Sequence, residues 1–198
     1  MGITGSDLVA EAQADVQTRL SLGVGKCRLA VCVPESMEID SPAQLNGLRI
    51  ATSFTNVTKN YLQQHDAEAH VVPLTGSVEI MITLGIADAI VDLVETGSTL
   101  AANRLKISHE IGNYETILIQ NQQKRHPELA DRIVRRLEGV VIARGYSLLE
   151  YNIPKNQLAQ AEEITPGFKS PTITSLEDSE WSAVRVMVKT KQVTSVMD

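Results

Sequence analysis

The chain has 198 residues, 43% of them hydrophobic and 4% aromatic, with a formal net charge of −6. That length and apolar content bury a real core in one large or two small domains, while the acidic balance excludes a general nucleic-acid binder and confines any phosphate site to a local patch. No apolar run approaches the roughly 20 residues that span a bilayer and no charged-then-apolar leader follows Met1, so a soluble cytoplasmic protein without a membrane partner is expected.

In chain order, Met1-Gly2-Ile3-Thr4-Gly5-Ser6 loosely fits an N-myristoylation pattern but reads better as the end of a strand. Residues 6–20 read as an amphipathic helix, Leu22-Gly23-Val24-Gly25 as a turn, and residues 26–33 as a strand stopped by Pro34. Cys27 and Cys32 lie five apart in that strand, so their side chains point to opposite faces and cannot pair; both are expected to be buried, inert thiols. Ser41-Pro42-Ala43-Gln44 opens a short helix with a capping box, which Gly47 ends. Strand 49–52, helix 56–65 and strand 69–74 follow, and Thr75-Gly76-Ser77 leads into a helix over 78–84. The alternation of strands and helices over the first two thirds predicts an α/β class with a largely parallel sheet.

The run Ala87-Asp88-Ala89-Ile90-Val91 is a buried strand, and it feeds Asp92-Leu93-Val94-Glu95-Thr96-Gly97-Ser98-Thr99-Leu100. An apolar strand that runs into acids, then a hydroxyl-rich glycine turn, then a short helix suits an anionic sugar phosphate. The unpaired N–H groups at the helix start and the hydroxyls of Thr96, Ser98 and Thr99 can surround the phosphate, while Asp92 or Glu95 accepts hydrogen bonds from sugar hydroxyls. The same string is also an ordinary turn and helix cap. Strands at 105–111 and 115–119 and a long amphipathic helix at 126–144 complete this region.

The character then changes. A strand at 147–153, a helix at 154–163 and strands at 172–176 and 181–188 give a β-α-β-β order, most of a ferredoxin-like domain, with 192–197 beginning a further helix. Trp181 is expected in the core or at a subunit interface. His65, His70, His109 and His126 are scattered, so no metal site built from protein ligands is expected, and no Gly-x-Ser-x-Gly elbow supports a serine hydrolase.

Gly2-Ile3-Thr4-Gly5-Ser6-Asp7-Leu8, residues 22–29, Arg49-Ile50-Ala51-Thr52, Leu74-Thr75-Gly76-Ser77-Val78-Glu79 and, above all, residues 87–100 together resemble ATP phosphoribosyltransferase in its long, regulated form. Tyr151-Asn152-Ile153-Pro154 and residues 165–172 resemble the C-terminal domain that distinguishes the long form from the short one. The resemblance implies a two-lobed catalytic region like a type II periplasmic binding protein, followed by a ferredoxin-like α+β domain that binds histidine as feedback inhibitor. It divides the chain into residues 1–33 as a remnant of lobe I, 34–112 as lobe II with the phosphate loop, 113–145 as the return to lobe I, and 146–198 as a partial regulatory domain. Both the first lobe and the last domain are expected to be shorter than in the family.

The implied reaction is the first step of histidine biosynthesis, in which N1 of ATP displaces pyrophosphate from C1 of phosphoribosyl pyrophosphate. By carry-over, Thr96, Gly97, Ser98 and Thr99, with Gly76 and Ser77, hold substrate phosphate; Asp92 and Glu95 lie near the ribose, and Glu79 faces them. Ser170, Pro171 and Thr172 mark the region of the effector site. Mg²⁺ arrives bound to substrate, and a homo-oligomer, a hexamer built from dimers, is implied. The competing reading is a non-catalytic module that binds a nucleotide or histidine without turnover.

Overall fold

The computed structural model describes residues 1–76, 78–123 and 125–197. They fall into two compact units, the first ending at Ala130 and the second starting at Asp131. The first contains β1 (Gly2–Gly5), α1 (Ser6–Glu11), β2 (Val16–Ser21), β3 (Cys27–Pro34), a 3₁₀ turn (Pro42–Leu45), β4 (Arg49–Thr52), α2 (Thr55–Gln64), β5 (His70–Pro73), α3 (Ile80–Thr83), β6 (Ala89–Val94), α4 (Ser98–Ala102), β7 (Leu105–Tyr114) and β8 (Thr116–Asn121). Helix α5 (Pro127–Arg144) runs across the division, and the second unit holds β9 (Tyr146–Pro154), α6 (Leu158–Ile164), β10 (Thr172–Ser175), β11 (Trp181–Lys189) and α7 (Val193–Met197).

The first unit is built on two sheets, a three-stranded antiparallel one in the order β1-β8-β2 and a five-stranded one in the order β5-β4-β6-β3-β7. The larger sheet is mixed rather than largely parallel: β4 runs parallel to β5 and β6, whereas β3 runs antiparallel to both β6 and β7. Strand β3 lies inside the sheet, between β6 and β7. Leu29, Ala30, Val31, Cys32 and Val33 are all buried, so both of its faces are covered, the pattern of an interior strand. Residues 27–33 thus belong to the larger sheet.

Side-chain alternation splits the core in two. Leu29, Val31 and Val33 pack with Ile50, Phe54, Tyr61 and Leu62 on one face, while Ala30, Cys32 and Ala51 pack with Val78, Ile90, Val94 and Leu100 on the other. On this second face β3 and β4 present the small residues Ala30, Cys32 and Ala51.

Two crossovers join the sheets side by side. Leu22 N–H donates to Thr116 C=O and Thr116 N–H to Val24 C=O, both at 3.0 Å. Gly25 has φ +61°, and a Cβ on it would lie 2.7 Å from Thr116 Oγ1, so glycine is required both by conformation and by contact. At the opposite end of the large sheet Arg49 clamps Asp88. Its Nε and backbone N–H donate to Oδ2 at 3.0 and 2.9 Å, its second guanidinium nitrogen donates to Oδ1 at 2.7 Å, and the remaining one to Gly85 C=O at 2.9 Å.

The expected helix over 6–20 is corrected. Helix α1 stops at Glu11, Gln13 turns the chain with φ +48°, and β2 begins at Val16. The alternating Val16-Gln17-Thr18-Arg19-Leu20 is a strand signal that tertiary pairing with β8 selects over a continued helix.

In the second unit β10-β11-β9 is an antiparallel sheet with α6 between β9 and β10, giving the β-α-β-β order of a ferredoxin-like domain. Val184, Val186 and Val188 of β11 face inward with Ala161 of α6, while Trp181 stays 39% exposed and is not a core residue. Buried Thr165 ends the helix by donating its hydroxyl to Ala161 C=O at 2.8 Å and sharing a 2.7 Å bond with Tyr151. The division of units falls inside α5 and not at 146, because the helix end is tied forward: Thr190 donates from its N–H to Gly145 C=O at 2.9 Å and from Oγ1 to Arg144 C=O at 3.3 Å.

Candidate active site

Strand β6 delivers the acids. Its period of two puts Asp92 on the same face as Ile90 and Val94, the face covered by Val78 and Leu100 and floored by Ala30, which pairs directly with Asp92. Gly97 then takes φ +81°, ψ 0°, a left-handed conformation that favours glycine, and α4 starts at once with Ser98. The first backbone bond of α4 runs from Ala101 N–H to Gly97 C=O at 3.1 Å, so the amides of Ser98, Thr99 and Leu100 precede the helical ladder. Thr96 Oγ1 and Ser98 Oγ share a 3.0 Å hydrogen bond across the turn, which fixes both hydroxyls on one side.

These residues line a cleft of about 350 Å³ together with Glu79. Asp92 is half-buried there, and burial pushes its carboxyl above the ordinary carboxylate range; the Leu93 N–H, which donates to its Oδ1 at 2.8 Å, pulls partly back, and Glu79 pushes it up further. Glu95, Thr96, Ser98 and Thr99 are exposed at the mouth. The arrangement offers the half-buried carboxyls of Asp92 and Glu79, the exposed one of Glu95, and a group of hydroxyls and amides, which can bind a phosphorylated sugar through opposite ends. Gly76 has φ +77° and is not among the lining residues, and Ser77 lies outside the described residues.

A second cleft, also about 350 Å³, shares Val94 and Glu95 with the first and is lined by Lys26, Cys27, Arg28, Asn113, Tyr114 and Glu115 beside the crossovers. Reading the sequence in order misses this group, because its members come from two stretches some ninety residues apart; the glycine turn before Lys26 is the only local signal. Arg28 is bound to Glu110 at 2.5 Å. Burial, then Asp7, raises the Tyr114 hydroxyl. Cys27 is only half-buried at this cleft, unlike Cys32, which burial and then Asp92 push up to about 12 and so keep as an inert thiol.

In the second unit Ser170 and Thr172 are exposed, and neither they nor Pro171 line the 600 Å³ groove that Tyr151, Ile153, Ala161, Ile164 and Thr165 form. Among the described residues no group of three or more His, Cys, Asp or Glu side chains can hold a metal ion, and no helix is long and apolar enough to cross a membrane.

Two sheets linked by paired crossovers, with an antiparallel strand inserted in the larger sheet and acids at the strand ends, define a two-lobed α/β unit of the type II periplasmic-binding-protein class, here followed by a ferredoxin-like unit. The family model for ATP phosphoribosyltransferase matches residues 1–139, and the model for the HisG C-terminal domain matches residues 143–198. The chain belongs to the ATP phosphoribosyltransferase family, in its long form with the C-terminal domain. It is 64% identical over its whole length to the ATP phosphoribosyltransferase of Rhodopirellula baltica, covering 66% of that protein, and 38% identical to that of Salinibacter ruber, covering 71%. Its structure is similar to the ATP phosphoribosyl transferase (HisG:HisZ) complex from Thermotoga maritima, with a TM-score of 0.65 and 29% identity over 72% of this chain and 70% of that one. The chain thus spans about two thirds of the length of the relatives it matches.

Proposed function

We propose that this chain carries the phosphoribosyl-transfer site of ATP phosphoribosyltransferase, the first step of histidine biosynthesis. N1 of the ATP adenine forms a bond to C1 of phosphoribosyl pyrophosphate as the bond from C1 to the pyrophosphate oxygen breaks, and pyrophosphate leaves with that electron pair. The observation that carries this reading is the cleft that groups Asp92, Glu95 and Glu79 with the Thr96–Thr99 turn. The amides of Gly97, Ser98 and Thr99 and the hydroxyls of Thr96, Ser98 and Thr99 hold the 5′-phosphate, and Asp92 and Glu95 orient the ribose hydroxyls. As positive charge develops on the ribosyl ring, the same carboxylates stabilise it, and no nucleophilic side chain is needed. Gly76 and Ser77 complete the phosphate contacts in this reading.

With Asp92, Glu95 and Glu79 dispersed along the cleft, Mg²⁺ would arrive with the substrate, and when bound it would neutralise charge on the leaving group. Histidine would act on the second unit near Ser170, Pro171 and Thr172, in a cytoplasmic homo-oligomer. The test is calorimetric binding of Mg-phosphoribosyl pyrophosphate, followed by pyrophosphate release on addition of ATP. Ser98→Ala with Thr99→Ala should weaken binding at least tenfold without altering the circular dichroism, since each lost hydrogen bond to a charged group is worth about 1.5–3 kcal/mol. Wild-type affinity in that double variant would remove the turn from the site, and binding without turnover would favour a non-catalytic nucleotide-binding module.

A further inference from the structure

Helix α2 of the first unit lacks a local cap, and the end of α1 supplies one from the other sheet. Glu11 is the last residue of α1, where the negative end of the helix dipole disfavours a carboxylate. Helix α2 has the opposite defect: its N-cap is Phe54, no side chain caps it locally, and its first turn contains no acid. Glu11 resolves both. Its Oε1 and Oε2 each accept the Asn56 N–H at 3.0 Å, Oε2 also accepts the Val57 N–H at 3.1 Å, and the Glu11 carbonyl accepts from Asn56 Nδ2 at 2.9 Å.

The bond is not a local cap, because 45 residues separate the partners. Helix α1 leads directly out of β1 in the three-stranded sheet, and α2 follows β4 in the five-stranded sheet. Within this unit the chain passes between the sheets only at the paired crossovers near Leu22 and Thr116, which are held side by side like the leaves of a hinge. Helix α1 starts beside that hinge, where Ser6 N–H donates to Glu115 C=O at 2.9 Å, and its far end at Glu11 reaches α2, so this charged contact couples elements of different sheets. Glu11 is half-buried and Asn56 is exposed, so water can hydrate either partner once they separate. The contact is therefore releasable, unlike a buried ion pair whose loss leaves an unsolvated charge.

We infer that Glu11 is a catch between the two sheets of this unit, holding them in their present arrangement by occupying the N-terminus of α2, and that releasing it lets them separate. This does not depend on the proposed transfer reaction, since a binding module with the same two sheets would use the same catch. A helix start that lacks its local cap and is completed only by a long-range contact is the kind of local inconsistency expected at a functional or strained site.

The test is a pulsed electron-resonance distance measurement between spin labels at Gln17→Cys on β2 and Gln63→Cys on α2, in the full chain with Cys27→Ser; Cys32 is buried and takes no label. The wild-type catch should give one dominant short distance. Glu11→Ala should shift the ratio of closed to open molecules by roughly tenfold or more, the effect of losing charge-assisted hydrogen bonds. Glu11→Gln keeps the size but turns an amide NH₂ toward the donors, and should open the unit in the same direction; Asn56→Ala loses one bond and should shift the ratio less. If Glu11→Ala loses its circular dichroism, Glu11→Gln carries the test. A distance distribution in the folded variant indistinguishable from wild type overturns the catch.

Discussion

At the scale of single residues, Asp92 is the position where stability and function oppose each other. A carboxylate whose proton affinity is raised by burial and by Glu79 costs the folded state when ionised at neutral pH. Asp92→Asn should therefore raise the melting temperature while lowering the proposed transfer rate by at least tenfold. A calorimetric scan beside a pyrophosphate-release assay reads both signs, and a loss of stability with full activity would take Asp92 out of the site. The turn residues were readable from the chain because their types are unusual in combination, but the sequence could not say that Thr96 and Ser98 would bond each other at 3.0 Å. Glu11 was invisible for a related reason. A Glu at the end of a helix means little until the partner helix is placed against it.

At the scale of elements, the Arg49–Asp88 clamp joins the start of β4 to the start of β6, at the edge opposite the proposed site. Arg49 holds the Asp88 carboxyl down to about 2, from an ordinary 3.8, chiefly through its side-chain hydrogen bond and then through its own backbone N–H. A depressed acid contributes stability that is fully present above 3.8 and is lost as pH falls through about 2. Acid unfolding of Asp88→Asn should accordingly be shallower than wild type between those two values, with the two proteins converging at the acid end. Denaturant midpoints measured across that range decide it; parallel curves would mean that the clamp is not formed in solution. Element type was well marked wherever the pattern was long and consistent, as in α5 and β11. It failed at 6–20, where a helical reading and a strand reading overlap and pairing with β8 chose between them.

At the scale of the whole molecule, the two units hold separate cores: Leu29, Ile50 and Val91 in one, Val184, Val186 and Ala161 in the other. Val184→Ala, at a position 1% exposed, should cost on the order of 1–3 kcal/mol and speed amide exchange through β9, β10 and β11. Protection in β3, β4 and β6 should stay as it was, and a uniform loss across both units would show a single cooperative block. What the sequence determined by itself was the alternation of elements, the change of character after residue 145, and the string Asp92 to Leu100, since propensity, periodicity and turn chemistry are local properties of neighbouring residues. Only the tertiary structure decided which sheet β3 joins, that α1 gives way to β2, that Lys26 and Tyr114 share a cleft, and that Glu11 caps α2. Each of these depends on contacts between distant segments, whose free energy no local pattern encodes.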